Sequence, residues 1–209
     1  MEQVVKILIY IHASLGGVAL ITGLVAILTP KGQTAHKKSG SVFFYAMLAS
    51  VIISMFVALS PNHHNPFLFA IGIFSLYFIL TGFRALKFKK QNTNLTVDRW
   101  ISATMIITGV LMILLPVIVA KNSNIILTVF GAFGILFSVK DLILYKKPKQ
   151  LRKSWLRLHL SKMLGGYIAA TTAFVVVNQF FPSFYGWFIP GIIGGFVIAY
   201  WNRKITKKA

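Results

Sequence analysis

The chain has 209 residues, 56% of them hydrophobic and 12% charged, and carries 22 Lys and Arg against three Asp and Glu, a formal charge of +19. Soluble domains have about a quarter of their residues charged, so this composition excludes one; without cysteine, a disulfide framework, a thiolate metal site and a thiol nucleophile are excluded too. The basic residues fall between apolar runs and form no continuous face, which excludes a nucleic-acid surface.

A membrane-crossing helix needs about 20 apolar residues at about 1.5 Å rise each. Seven segments qualify, at 7–28, 41–59, 67–86, 100–120, 125–144, 160–181 and 184–201. A bilayer core forces helix over open strand, because each segment has to satisfy its own backbone groups. The expectation is one all-α polytopic domain over 1–209, a bundle of about seven transmembrane helices.

In chain order, segment 7–28 follows Met1-Glu2-Gln3, which lacks the basic start of a cleaved signal peptide, so a retained helix is expected. His12, Gly16, Ala19, Gly23 and Ala26 share one stripe of it. Small residues on a stripe let helix backbones approach closely in a bilayer. Pro30 and a basic connection with Lys31, Lys37 and Lys38 lead to segment 41–59, where His36, Gly40, Phe43, Met47 and Ser50 repeat the spacing. A short connection with Pro61, His63, His64 and Pro66 precedes 67–86, which ends among Arg84, Lys87, Lys89 and Lys90.

Asp98 stands where it can cap the helix at 100–120, and Pro116 predicts a kink there. Segment 125–144 holds Asp141, within reach of Lys140 or Arg84 as ion-pair partner. The densest basic stretch, from Lys140 to Lys162, leads into 160–181, where His159, Met163, Gly166, Ala170 and Ala173 share a stripe. Segment 184–201 is the shortest; it contains Pro190 and a Gly191–Gly195 pair at GxxxG spacing. After the first helix, the segments group as three hairpins beginning near His36, Asp98 and His159.

Twenty of the 22 basic residues, Lys162 among them, belong to the first, third and fifth connections and the C-terminal tail; only Lys6 and Lys121 fall opposite. The positive-inside rule then places the N-terminus outside and the C-terminus in the cytoplasm. Trp100, Trp155, Trp187 and Trp201 sit at the expected interfaces, and the basic face should attract anionic lipid headgroups. The outer connections are too short to form a domain, so any activity belongs between the helices or on the cytoplasmic face.

Ionisable groups within a membrane are rare and usually functional. His12 is the deepest by this count, and no carboxylate approaches the middle of a helix, which argues against an ordinary proton-coupled carboxylate carrier. His36, His159, Asp98 and Asp141 form a candidate metal set, of a ligand type that suits zinc or iron. His12, His36 and His159 are candidate haem ligands, with Met163, His63 or His64 as second axial partner. Each also has a plainer use, as a helix cap, an ion-pair partner or a hydrogen bond to a loop carbonyl. No lysine lies within 184–201 for a retinal Schiff base, and no H-E-x-x-H, G-x-S-x-G or phosphate-binding glycine loop occurs. Open at this point are a multi-pass protein with a histidine-containing helix interface, a metal- or haem-dependent membrane oxidoreductase, a small-molecule carrier, and an assembly subunit of a homo- or hetero-oligomer.

The run Ile11-His12-Ala-Ser-Leu-Gly16-Gly-Val-Ala-Leu20-Ile-Thr-Gly23, followed by His36-Lys-Lys-Ser-Gly40, resembles the bacterial membrane-protein family catalogued as domain of unknown function 2306. The resemblance covers about residues 11–50. The family tends to carry His-Arg-Arg-Trp at a later helix start, where this chain has Asp98-Arg99-Trp100. The resemblance implies a multi-pass protein of a bacterial cytoplasmic membrane and singles out His12 and His36; it implies no activity.

Overall fold

The computed structural model describes residues 2–182 and 184–206; Met1, Ser183 and two of the counted basic residues, Lys207 and Lys208, lie outside the described residues. Seven α-helices are present among them: α1 (Glu2–Leu28), α2 (Thr34–Leu59), α3 (Pro66–Arg84), α4 (Thr96–Ala120), α5 (Ile125–Tyr145), α6 (Pro148–Val177) and α7 (Tyr185–Thr206). A 3-10 segment, Ala85–Lys89, prolongs α3. Six of the helices are long and apolar enough to cross a membrane. The exception is α7, whose apolar run is broken by Pro190 and four glycines and ends in Asn202-Arg203-Lys204.

The helices outrun the apolar segments where amphipathic turns extend them. α2 begins at Thr34 rather than 41, and α6 at Pro148 rather than 160. Proline suits the first turn of α6 because its missing N–H has no helical partner there anyway. Leu151, Trp155 and Leu158 then turn onto Ala85, Phe88 and Tyr145, while Lys149, Arg152, Lys153 and Arg157 stay exposed. A hydropathy criterion stops where those charges begin; the helix does not. At its other end α6 stops at Val177, before the expected 181, because Asn178 caps it and Gln179 adopts φ 54°. A left-handed residue also turns the first four connections: Gly32, Asn62, Asn92 and Lys121.

Register follows from side-chain contacts. Residue 12 meets 50 and residue 36 meets 26, so α1 and α2 run antiparallel. Phe78 and Ile79 lie against Gly165 and Gly166, and Gly82 against Met163 and His159, so α3 and α6 are antiparallel as well. Of the expected hairpins α4–α5 and α6–α7 pair as such, while α2 packs more extensively on α1 than on α3. The extensive pairs are α1 with α2 and α4 with α5, while α3 divides its contacts among α2, α4 and α6, and α7 lies on α6. One core cluster joins α1, α2, α3 and α6 around Ala19, Phe43, Met47, Ile79 and Ala170. A second joins α3, α4 and α5 around Phe74, Tyr77, Phe78, Met105 and Met112.

The small-residue stripes mostly face inward. Gly23 abuts Tyr167 and Phe43, and Gly166 abuts Ile79. α7 departs from expectation: Gly191 and Gly195 meet nothing, and Gly194 instead takes Ile168 of α6. Large apolar side chains cover the outside of the bundle, among them Tyr10, Ile21, Phe56, Ile107, Val119, Phe133 and Phe196. That surface suits lipid and not water.

Candidate functional site

With three acids against 22 basic residues, the fate of each carboxylate is informative. Glu2 is exposed and lies 3.2 Å from His63. The other two, Asp98 and Asp141, are buried in the half of the bundle made by α3, α4, α5 and α6. Both are ion-paired, as buried charges have to be.

Asp98 lies in the first turn of α4 but is not its cap; Leu95 holds that position and makes no side-chain cap. The Asp98 side chain, 0% exposed, accepts from Arg84 Nε and Nη2 at 2.7 Å each. A two-pronged guanidinium–carboxylate contact fixes orientation as well as distance. It locks the C-terminal end of α3 to the start of α4 across the third connection.

Asp141 pairs with neither Lys140 nor Arg84. Its Oδ2 accepts from Lys162 Nζ at 2.6 Å and from the Tyr77 hydroxyl at 2.6 Å. Lys162 Nζ also donates to the Tyr77 hydroxyl oxygen, closing a triangle among α3, α5 and α6. The Lys162 and Asp141 side chains are 8% and 5% exposed. The Lys162 ammonium lies 4.2 Å from the centre of the Tyr77 ring, with Phe78 and Phe137 at 5.6 Å, so aromatic faces supply further stabilisation to the cation. Lys162 is thus not the connection residue that charge counting makes it.

Two serines stand beside this network. Ser138, one turn before Asp141 on α5, faces the Tyr77 hydroxyl, and Ser102, one turn after Asp98 on α4, faces that of Tyr145. Both hydroxyls are fully buried and complete no hydrogen bond. Tyr145 lies within electrostatic range of Asp98, Asp141 and Arg84 together, so it links the two ion pairs. Toward the opposite end the site is closed by rings: Phe74 meets Phe78 and Phe130 edge-on at 5.0 Å, and Phe130 leads to Trp187. Neither the cavity of about 310 Å³ lined by Val176, Gln179 and Phe181 nor that of about 320 Å³ beside Arg99 and Trp100 is lined by any member of the network.

The three predicted histidines lie elsewhere and share one habit. His12 Nδ1 contacts the Ser50 carbonyl and hydroxyl at 2.9 Å each, and the Ser50 hydroxyl donates to the His12 carbonyl at 3.0 Å. His36 Nδ1 donates to the Ala26 carbonyl at 2.9 Å, and His159 Nδ1 to the Gly82 carbonyl at 2.8 Å. A carbonyl only accepts, so Nδ1 carries the proton in each. His12 and His36 therefore tie α1 to α2, and His159 ties α6 to α3. His36 and His159 are also near enough to interact electrostatically. The four metal candidates are dispersed: Asp98 is held by Arg84, Asp141 by Lys162, and the two histidines by carbonyls. Among the described residues no three His, Cys, Asp or Glu side chains are grouped to hold a metal ion.

At the basic end, Lys31 donates to the carbonyls of Ala26, Ile27 and Thr29 and lies 4.4 Å from the Trp201 ring centre. Partial burial, and then Lys204 nearby, hold its ammonium below the ordinary lysine value. The contact brings the end of α7 to the first connection.

Tyr77, Lys162, Ser102, Ser138 and Tyr145 are absent from the sequence-derived candidates. For Lys162 a signal exists: it is the last cation of the basic stretch and is followed directly by the apolar run from Met163 and Leu164. An acid and a base inside successive apolar runs are natural partners. No family model matches the chain, and neither does any curated protein or solved structure.

Proposed function

We propose that this chain is a multi-pass protein of a bacterial cytoplasmic membrane, related to the domain of unknown function 2306 family, and that it works as a small-molecule carrier. The supporting observation is the Lys162–Asp141–Tyr77 triangle, a neutral ion pair shared by three helices and closed on one side by aromatic rings. Charges in an apolar bundle are expensive unless paired, so such a pair favours the closed arrangement and releases it when the pairing changes. A carrier needs a switch of that kind: two packings of the same helices, with one charged centre biasing between them.

A carrier exposes its centre to each side in turn. The chain has no cysteine, so Ser138→Cys introduces one thiol beside Tyr77 with little change in volume. In sided membrane vesicles, a small membrane-impermeant thiol reagent is expected to label that position from either face. Labelling from neither face identifies a static core, and labelling from one face only identifies a dead-end cleft; either result overturns the carrier reading.

The orientation belongs to the same proposal: N-terminus outside, C-terminus cytoplasmic, with the basic end against anionic headgroups. Reporter fusions after Lys38, Lys90 and Lys153 are expected to report cytoplasm, and those at Asn62 and Ser123 the outside. A cytoplasmic Asn62 fusion reverses the assignment.

A further inference from the structure

We infer that the ion coupled to this carrier is the proton, against the expectation drawn from the lack of a mid-helix carboxylate, and that Asp141, one turn from the end of α5, takes it up from the basic end of the bundle past Tyr145; the inference rests on the carrier reading and names what drives it. Four observations carry it. The hydrogen bonds to Asp141 from Tyr77 and Lys162 both land on Oδ2, leaving Oδ1 outside them. Tyr145 stands one turn beyond Asp141 at the end of α5, packed on Ala85 and Phe88 next to the part-exposed Arg84. Ser102 beside Tyr145 and Ser138 beside Tyr77 present buried hydroxyls that no group holds in place. Toward the other end the packing is mainly rings and apolar side chains, Phe74, Phe78, Phe130 and Met112 among them, and the buried Ser75 hydroxyl there is held by the Ile71 carbonyl.

A hydroxyl with no fixed partner can turn, accepting a proton on one lone pair while giving up its own, and a relay consists of such groups. The groups facing Asp141 from each packed element are Tyr77 on α3, Asp98 and Ser102 on α4 through Tyr145, Ser138 and Tyr145 on α5, and Lys162 on α6. Asp98 is a poor acceptor, since both its oxygens are held by Arg84. Asp141 is the open one.

The step balances simply. One proton leaves water at the basic end and bonds to Asp141 Oδ1; no electron moves and no other bond is made or broken. The triangle passes from neutral to a single positive charge, because Lys162 keeps its proton. An ammonium that has lost its counter-charge among Phe78, Phe137 and Tyr77 is driven toward water, and this separates α6 from α5 and α3. Release of the proton on the other side restores the pair.

The test is infrared difference spectroscopy of the full chain in lipid nanodiscs, stepped from about pH 8 to about pH 4. A carboxylic-acid carbonyl band is expected to grow on acidification in the unaltered chain. The component beyond that of exposed Glu2 is expected to be missing from the Asp141→Asn variant and from the paired variant Asp141→Leu with Lys162→Met, which retains the fold should Asp141→Asn not. After a pH jump, Tyr145→Phe is expected to slow the band's rise by about a hundredfold, the lower end of what a positioned proton donor contributes. A band of the same size in the unaltered chain and in both variants overturns the inference; an unchanged rate in Tyr145→Phe overturns the route. The carrier reading fails separately: proton uptake at Asp141 without two-sided labelling of Ser138→Cys keeps the proton site and sinks the carrier, whereas labelling without uptake keeps the carrier and sinks the proton.

Discussion

Asp141→Leu alone is expected to destabilise the protein by about 3–5 kcal/mol, and adding Lys162→Met is expected to restore most of that loss. The asymmetry comes from burial. The single change leaves an ammonium at 8% exposure with no carboxylate, and only the Tyr77 oxygen and ring faces to meet it. The double change removes both charges and fills the space with side chains of similar volume. Unfolding in mixed detergent micelles distinguishes the two. If the double variant is no more stable than the single one, the ion pair is not what holds α5 to α6. The double variant also separates stability from activity, since a folded protein without the pair should no longer label Ser138→Cys from both faces.

Gly131→Ala is expected to cost about 1–3 kcal/mol, the range for overpacking, although it adds one methyl group. A Cβ at Gly131 stands 2.7 Å from the Gly109 carbonyl oxygen, and one at Gly109 stands 2.8 Å from that of Gly131. The obstruction is backbone on both sides, so α4 and α5 have to separate as rigid bodies. Gly16→Ala is the control, since its nearest neighbour is the Ser50 hydroxyl at an ordinary 3.5 Å. Thermal unfolding of both variants in one detergent decides the matter; equal midpoints would falsify the backbone contact between α4 and α5.

The helices were legible because a long apolar run has one use. The ends of α2 and α6 were not, because an amphipathic extension such as Leu151, Trp155 and Leu158 among basic residues resembles a loop to any hydropathy average. The stripes headed by His12, His36 and His159 pointed inward as their spacing implied, each histidine meeting a neighbouring helix. Ala173 escaped the pattern and is exposed, as are Gly191 and Gly195. The polar centre was hidden for a different reason. Counting charges by loop assigns Lys162 to the nearest basic cluster and sees no difference between it and Arg157, five residues earlier and exposed. Only the positions of α3 and α5 reveal that Lys162 has an acid to meet. Tyr77, Ser102 and Ser138 carry no sequence signal at all, since a lone hydroxyl in an apolar helix is commonplace.

The central place of α3 imposes an order on biogenesis. Arg84 meets Asp98 within the very next helix to be synthesised, so the first four helices emerge with their charges matched. Asp141 then arrives carrying a negative charge whose cation, Lys162, is still 21 residues behind it in the chain. Until α6 leaves the ribosome, α3 has to keep its Tyr77 and Gly82 face uncovered in a nascent protein, and α5 has to hold an unneutralised acid near the basic end. A polypeptide stopped after α5 would present that acid and that bare helix face to the quality-control machinery, which makes completion of α6 the natural checkpoint between a membrane intermediate and a finished molecule.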